Sequence, residues 1–144
     1  MSPPNHCEVE INVRYAETDQ MQIVHHANYL VWFELARTRL CTQSGYHYHQ
    51  IEDLGFHLMV ISCQVDYRRG ARYGETLEVH AWLAELASRR LRFDYAVRRG
   101  DELLATGRTE HVWVNAATGR LCRTPEPLRG PFSRLADPSA DADS

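Results

Sequence analysis

Residues 27–44 read ANYLVWFELARTRLCTQS, and this stretch decides the fold because it predicts one long helix with little polar surface. Apolar residues recur along it at helical spacing: Tyr29, Phe33, Ala36 and Leu40. Other apolar residues widen this face well beyond one stripe, so we expect the helix to be mostly enclosed by protein. Gly45 follows directly, and glycine is common just past a helix C-terminus.

Strand patterns lie on both sides of this predicted helix. Before it, residues 8–15 alternate between apolar and polar side chains, which is the period of a half-buried strand. After it, a short helix is predicted near residues 48–54. Four alternating segments then follow, at 57–67, 75–85, 89–98 and about 102–114. Arg99-Gly100-Asp101 predicts a tight hairpin between the last two strands, and another short helix is expected near residues 126–135.

These elements predict an α+β domain. Consecutive strands joined by short loops form an antiparallel sheet, and one long helix packs against it. A single sheet covers one side of a helix, whereas this helix is apolar nearly all round. A homodimer is the simplest way to cover the rest, with sheets meeting edge to edge or helices packing across the axis. Residues 1–136 are expected to form one domain, and residues 137–144 a disordered tail.

The composition is that of an ordinary globular protein, and it excludes several function classes. The chain has 144 residues, 44% hydrophobic and 24% charged, and its net charge of -3 gives no basic excess for nucleic-acid binding. All 16 basic residues are arginine, which rules out lysine as a Schiff base or nucleophile. No apolar run approaches a membrane span, and residues 1–6 do not resemble a secretory signal, so we expect a cytoplasmic protein.

The loop between the first strand and the long helix carries the candidate chemistry. Asp19 lies in this loop, and His26, Ala27 and Asn28 lie where the helix begins. A helix N-terminus presents unpaired N–H groups and a partial positive charge, which can hold the oxyanion formed when a carbonyl is attacked. A carboxylate beside it can activate water or attack directly. Such a minimal site suits a thioester, because a thiol with a pKa of roughly 8.5 leaves as the thiolate with little protonation.

Residues 14–29, RYAETDQMQIVHHANY, and residues 32–38, WFELART, closely resemble the acyl-CoA thioesterases of the hotdog fold. The nearest branch is the 4-hydroxybenzoyl-CoA thioesterase group, including its Tol–Pal-linked bacterial members. The resemblance continues through residues 66–78, DYRRGARYGETLE, and covers roughly residues 8–128. It implies a five- or six-stranded antiparallel sheet wrapped around one long helix, in an assembly at least dimeric with active sites at the subunit interfaces.

The resemblance also implies roles for single residues. Asp19 becomes the catalytic carboxylate, and His26, at a position where the family carries His or Tyr, begins the helix and offers its backbone N–H to the thioester carbonyl. The residues expected to contact substrate are His25, Ala27, Asn28, Tyr29, Arg68, Arg69, Arg89 and Arg90. Of these, His25 is expected to line the acyl pocket and the arginines to meet the phosphates of coenzyme A, whose oxygens suit the planar arginine fork. Gln20-Met21-Gln22 departs from the small turn common in the family.

Two other groups of residues are candidates for a functional role. Glu34 is the reserve candidate for the catalytic carboxylate, since a related thioesterase branch uses a carboxylate on this helix, although an ion pair with Arg37 also accounts for it. No metal is expected, because the cysteines are widely spaced and the histidine patterns are weak. Those histidines are His25, His26, His47, His49 and His57. No separate cofactor is expected either, because coenzyme A would be part of the substrate.

The sequence therefore predicts an acyl-CoA thioesterase that releases a free acid and coenzyme A and assembles as a homodimer or homotetramer. Asp19 would act as general base or as nucleophile, and the helix N-terminus at His26 would stabilise the oxyanion. Three alternatives stay open: an acyl-carrier-protein thioesterase, a hydratase or dehydratase on the same fold, and a non-catalytic acyl-CoA binding module. The acyl group also stays open, because pocket depth depends on the partner subunit.

Overall fold

The computed structural model describes residues 6–136, which form one antiparallel sheet, one long helix and two shorter helices. The helices are α1 (Ala27–Thr42), α2 (Tyr48–Asp53) and α3 (Glu126–Ala136). The strands are β1 (His6–Asn12), β2 (Phe56–Tyr67), β3 (Thr76–Leu86), β4 (Arg90–Arg99), β5 (Glu102–Asn115) and β6 (Leu121–Cys122). The tail predicted at residues 137–144 lies outside the described residues.

The sheet has six strands, and its antiparallel pairing confirms the predicted α+β class. The strand order is β1-β3-β4-β5-β2, with β6 added on β5, so β1 and β2 lie at the edges. The predicted tight hairpin joins β4 and β5 through a two-residue loop, in which Gly100 adopts a left-handed φ of 61°. The segment after β2 lies beside the loop that enters α1. An isolated bridge between Arg72 and Ile23 joins the two segments.

The core lies between α1 and one face of the sheet. Phe33 of α1 is fully buried and stacks on Tyr95 of β4, with ring centroids 4.3 Å apart. Gly107 of β5 permits this close approach, because a Cβ at that position would lie 2.4 Å from Cε2 of Phe33. At the other end of the domain, α3 packs Phe132 against Trp113 of β5.

A buried polar chain crosses this core. Arg37 of α1 donates hydrogen bonds to the hydroxyls of Tyr48 (3.0 Å) and Tyr95 (3.1 Å). The Tyr95 hydroxyl lies 2.6 Å from Oγ1 of Thr109, which in turn lies 2.8 Å from Nε2 of His111. The tyrosine hydroxyls of this hydrogen-bonded series are neutral partners for the buried Arg37 guanidinium inside the core.

Strands β1 and β6 differ from the prediction. Strand β1 ends at Asn12 rather than at residue 15, because the chain then turns into a 3-10 helix at Tyr15–Glu17. The backbone N–H of Arg14 is taken by the Glu17 carboxylate instead of a neighbouring strand, which stops the sheet pairing. Tyr15, which continues the alternating pattern, is 74% exposed. The two-residue strand β6 was not predicted, since it is too short to show a period.

The single chain leaves one side of α1 uncovered, as expected for a helix that packs on one sheet. Val31 and Leu35 of α1 are each 50% exposed, and Met59, Val60 and Ile61 of the edge strand β2 are also exposed. One sheet covers one side of the helix, so the other side remains open to solvent. No helix in the described range 6–136 is long and apolar enough to cross a membrane.

Candidate active site

The loop between β1 and α1 folds back on itself and fixes Asp19 in a tight turn. Its two arms pair at an isolated bridge between Thr18 and Val24. The backbone N–H of Asp19 donates to the carbonyl of Ile23, and that of Gln22 donates to the carbonyl of Asp19, both at 2.9 Å. Gln22 has a φ of 66°, so this turn keeps a left-handed position although no glycine is present.

The Asp19 carboxylate has one oxygen engaged and one free. Oδ1 accepts the backbone N–H groups of Met21 at 2.8 Å and of Ile23 at 3.3 Å. Oδ2 accepts no hydrogen bond from any residue in the described chain, and the side chain is exposed. The turn therefore orients the carboxylate and leaves an oxygen that can meet a water molecule or a substrate.

The N-terminus of α1 provides an unoccupied hydrogen-bond donor. His26 is its N-cap, and within residues 6–136 no acceptor takes the backbone N–H of His26. The carbonyl of His26 accepts the hydroxyl of Tyr67 at 3.1 Å. The free N–H can bind an anionic oxygen, and the dipole of a 16-residue helix favours negative charge there.

Glu17 and Asn28 hold the loop against the helix. Oε2 of the buried Glu17 carboxylate accepts the indole N–H of Trp32 at 2.9 Å. The Asn28 amide donates to the carbonyls of Glu17 (3.0 Å) and His25 (3.2 Å). These contacts make Glu17 a structural support of the site rather than a free carboxylate. The polar stretch of sequence around Glu17 did not predict this role.

Asp19 and His26 line one surface cavity of about 300 Å³. The other side chains of this cavity that carry polar groups are Tyr29, Tyr67, Arg68 and Arg69. The structure thus brings together five of the residues singled out from the sequence. Tyr67 was missed, because it ends an alternating strand and gave no separate signal there.

The two cavity arginines differ in their partners. Nε of Arg69 lies 3.1 Å from Oε2 of Glu102, which also pairs with Arg99. Arg99 in turn binds both carboxylate oxygens of Glu75. Arg68 forms no ion pair with any described residue. Arg68 is therefore the cation at this cavity that is free to bind an external anion.

Three predicted contact residues lie beside the cavity rather than in its wall. The His25 ring stacks on that of His26, with centroids 4.3 Å apart, and its Nδ1 accepts the backbone N–H of Ala27 at 3.3 Å. His25 and Ala27 are both exposed. Asn28 is turned toward the loop, where it makes the two hydrogen bonds described above.

The remaining candidates lie elsewhere in the single chain. Arg90 lines a separate, small cavity together with Glu85 and Glu110, and Arg89 is exposed at the turn before β4. Glu34 lines another cavity of about 280 Å³, between α1, α2 and β2, and this cavity shares no residue with the one that holds Asp19.

Comparisons with known proteins show the family of this chain. The family model described as the thioesterase-like superfamily matches residues 13–132. A protein of Bacillus subtilis (strain 168) named "Putative acyl-CoA thioesterase YneP" is 39% identical over 107 residues, which is 74% of this chain and 78% of the relative.

Two solved structures superpose closely on this chain. Hypothetical protein TT1821 from Thermus thermophilus has a TM-score of 0.85 and 42% identity, and the match covers 90% of this chain and 98% of that one. The DHNA-CoA thioesterase from Staphylococcus aureus also has a TM-score of 0.85, with 29% identity and 90% of each chain covered.

Proposed function

The chain belongs to the thioesterase-like superfamily, and we propose that it hydrolyses an acyl-CoA to a free acid and coenzyme A. The match of the family model and the superposed structures confirm the predicted hotdog fold. The observation that carries the proposal is the cavity that Asp19 and His26 both line, since Asp19 has a free carboxylate oxygen and the backbone N–H of His26 has no acceptor within residues 6–136. A thioester carbonyl in that space would have a base or nucleophile on one side and an oxyanion donor on the other.

Asp19 supplies the carboxylate in two possible routes. As general base, its Oδ2 takes a proton from water, and the water oxygen attacks the carbonyl carbon. As nucleophile, the same oxygen attacks that carbon and forms an anhydride, which water then hydrolyses. In both routes the C–S bond breaks, and the coenzyme A sulfur leaves with the electron pair. Because Oδ1 already takes two backbone N–H groups, the geometry of Oδ2 is fixed before substrate binds.

The N-terminus of α1 stabilises the charge that develops on the carbonyl oxygen. The backbone N–H of His26 donates to this oxygen, and the aligned peptides of α1 add a partial positive charge. Tyr67 keeps the turn in position through its hydrogen bond to the carbonyl of His26. No metal or other cofactor is needed for this step, since the thiolate leaves without full protonation.

Arginine side chains bind the phosphates of coenzyme A. Arg68 is the first candidate, because it lines the cavity and has no acidic partner within residues 6–136. Arg69 contributes charge but is held by Glu102. Arg89 and Arg90 lie away from the cavity of their own chain, so they would reach a coenzyme A only in the site of a neighbouring subunit.

We also propose that the chain assembles as a homodimer or as a dimer of dimers. Strand β2 is twelve residues long, pairs with β5 on one side, and carries exposed apolar side chains at its free edge. Such an edge is a template for pairing with another strand. Joining two copies through β2 would also cover the open side of α1, including Val31 and Leu35.

A thiol-release assay over a panel of thioesters tests the proposed reaction. Short-chain, long-chain and aromatic acyl-CoAs are compared with the same acyl groups on an acyl carrier protein, and hydration of an enoyl-CoA is followed in parallel. We expect thiol release from at least one acyl-CoA and no hydration. Thiol release from the acyl carrier protein alone would favour an acyl-carrier-protein thioesterase. Hydration of the enoyl-CoA without thiol release would favour a hydratase, and tight acyl-CoA binding without turnover would favour a binding module.

A further inference from the structure

Three side chains of metal-ligand type lie together on β1 and β3. His6 and Glu8 are two residues apart on β1, so their side chains share one face of the sheet. Glu8 lies directly opposite His80 of β3 in the sheet register, which puts His80 on the same face. His6 and His80 are 74 residues apart in the chain, so sequence spacing gives no sign of this cluster.

The distances within this cluster match those of a metal-ligand set. Nε2 of His6 lies 2.9 Å from Nδ1 of His80, and Oε1 of Glu8 lies 3.4 Å from the same Nδ1. All three ligand atoms lie within 4.8 Å of one another. Ligand atoms about 2.0–2.1 Å from a tetrahedral ion are about 3.3 Å apart, so a small shift would seat an ion between them.

Neighbouring side chains orient both histidines. The His80 side chain is 13% exposed, and its Nε2 lies 3.5 Å from Oε2 of Glu78, so the carboxylate favours a proton on Nε2 and leaves Nδ1 as the ligand atom. The His6 ring stacks on Trp82, with centroids 5.8 Å apart and planes 7° apart. Both rings are thus held with their nitrogens directed at each other.

The two imidazole rings face each other across a short gap. Nε2 of His6 and Nδ1 of His80 are 2.9 Å apart, so without an ion one ring must donate its N–H to the other. Nε2 of His80 is buried and makes no hydrogen bond within residues 6–136, although the Glu78 carboxylate lies 3.5 Å away. A metal ion would take the facing nitrogen of each ring as a ligand.

We propose that His6, Glu8 and His80 bind one divalent transition-metal ion, of which Zn²⁺ fits two imidazoles and one carboxylate best. This site departs from the expectation, drawn from the sequence, that no metal binds. Because β1 is an edge strand that pairs with β3, the ion would tie the start of the described chain to the sheet.

The proposed ion would act on stability rather than on catalysis. His6 begins β1, whereas the loop with Asp19 follows its other end at Asn12. Six residues of extended strand separate the two ends by about 20 Å, and the cavity that holds Asp19 shares no residue with the proposed metal site. Binding to the folded state raises the stability of the protein as the metal concentration rises above its Kd.

Zinc titration of the untagged full-length protein tests the proposal. The protein is stripped with a chelator, desalted, and titrated with ZnCl₂ by isothermal calorimetry, and its melting temperature is recorded with and without zinc. We expect one Zn²⁺ per chain and a melting temperature that increases with zinc. His80→Gln and His6→Gln should each weaken zinc binding at least about tenfold. Glu78→Gln, which changes a residue that orients His80, should weaken zinc binding by about tenfold.

His57→Gln serves as the matched control, because His57 is an exposed histidine on the distant edge strand β2. It should bind zinc as the wild type does. Melting curves in chelator establish whether each variant is folded before binding is compared. The proposal is overturned if the wild type binds no zinc, or if both His80→Gln and His6→Gln bind it as tightly as the wild type.

Discussion

The two oxygens of the Asp19 carboxylate have separate tasks. Oδ1 holds the turn through two backbone N–H groups, and Oδ2 accepts no hydrogen bond within residues 6–136. An isosteric amide can keep the first task and lose the second, because its carbonyl oxygen still accepts hydrogen bonds. A variant at this single residue can therefore separate support of the loop from chemistry.

Arg68 is expected to act in substrate binding. We predict that Arg68→Ala raises KM for an acyl-CoA by about tenfold and leaves kcat nearly unchanged, because a lost charge-assisted hydrogen bond costs about 1.5–3 kcal/mol. Steady-state kinetics measure both constants. Arg134→Ala, which changes an exposed arginine of α3, is the control and should behave as the wild type. An unchanged KM in Arg68→Ala would refute this role.

His111 is expected to make stability depend on pH. Burial, with a further contribution from Arg37, lowers its pKa to about 3, whereas the unfolded chain takes up the proton near the ordinary value of 6.5. Between these pH values the unfolded state binds more protons than the folded state. The contribution of His111 to the free energy of unfolding is therefore complete above pH 6.5 and is lost as the pH falls toward 3. The slope is at most about 1.4 kcal/mol per pH unit.

Two measurements check the prediction for His111. An NMR titration should find the His111 ring neutral from pH 7 to pH 5, its signal being assigned by its loss in His111→Gln. Denaturant unfolding at the same pH values should give a smaller decrease in stability for His111→Gln than for the wild type. A His111 signal that titrates near pH 6.5 would contradict the prediction.

At the scale of elements, the contact between α1 and β5 depends on the missing side chain at Gly107. We predict that Gly107→Ala destabilises the protein by about 1–3 kcal/mol, because its Cβ would overlap the Phe33 ring. Urea denaturation measures the loss. The double variant Gly107→Ala/Phe33→Leu should recover part of it, since the smaller side chain makes room. Equal midpoints for Gly107→Ala and the wild type would refute the close packing.

Most elements could be predicted from the sequence, because periodicity reports local structure. The long helix was predicted over residues 27–44 and runs from Ala27 to Thr42, and β2 to β5 begin and end within two residues of their predicted bounds. Strand β1 was predicted too long, since alternation in sequence cannot reveal that Glu17 captures the N–H of Arg14. The open side of α1 in the single chain agrees with the expectation that one sheet covers only one side of this helix.

Part of the candidate site could also be predicted from the sequence, because it depends on local structure. Asp19 and His26 lie in one short segment, so their proximity follows from a loop that folds back. Tyr67, Arg68 and Arg69 reach the cavity from the C-terminal end of β2, and Glu102, the partner of Arg69, lies at the start of β5. The His6–His80 contact joins two strands 74 residues apart and needs the sheet register.

At the scale of the whole molecule, the open side of α1 and the edge strand β2 predict a dimer. We expect sedimentation to give at least twice the chain mass of 16.6 kDa. Leu35→Lys should shift the protein toward the monomer, because a charge on a half-exposed apolar residue of the interface must be desolvated on association. Leu121→Lys changes an exposed leucine of β6 and should leave the mass unchanged. A monomeric wild type would contradict the assembly.

We propose that the Asp19 carboxylate drives thioester hydrolysis, and thiol release by the wild type and Asp19→Asn, measured side by side on the preferred acyl-CoA, tests this role. We predict equal melting temperatures and a decrease in kcat/KM of about 10²–10⁴-fold, because the amide keeps the turn but cannot act as base or nucleophile. Hydrolysis by Asp19→Asn at the wild-type rate would contradict it.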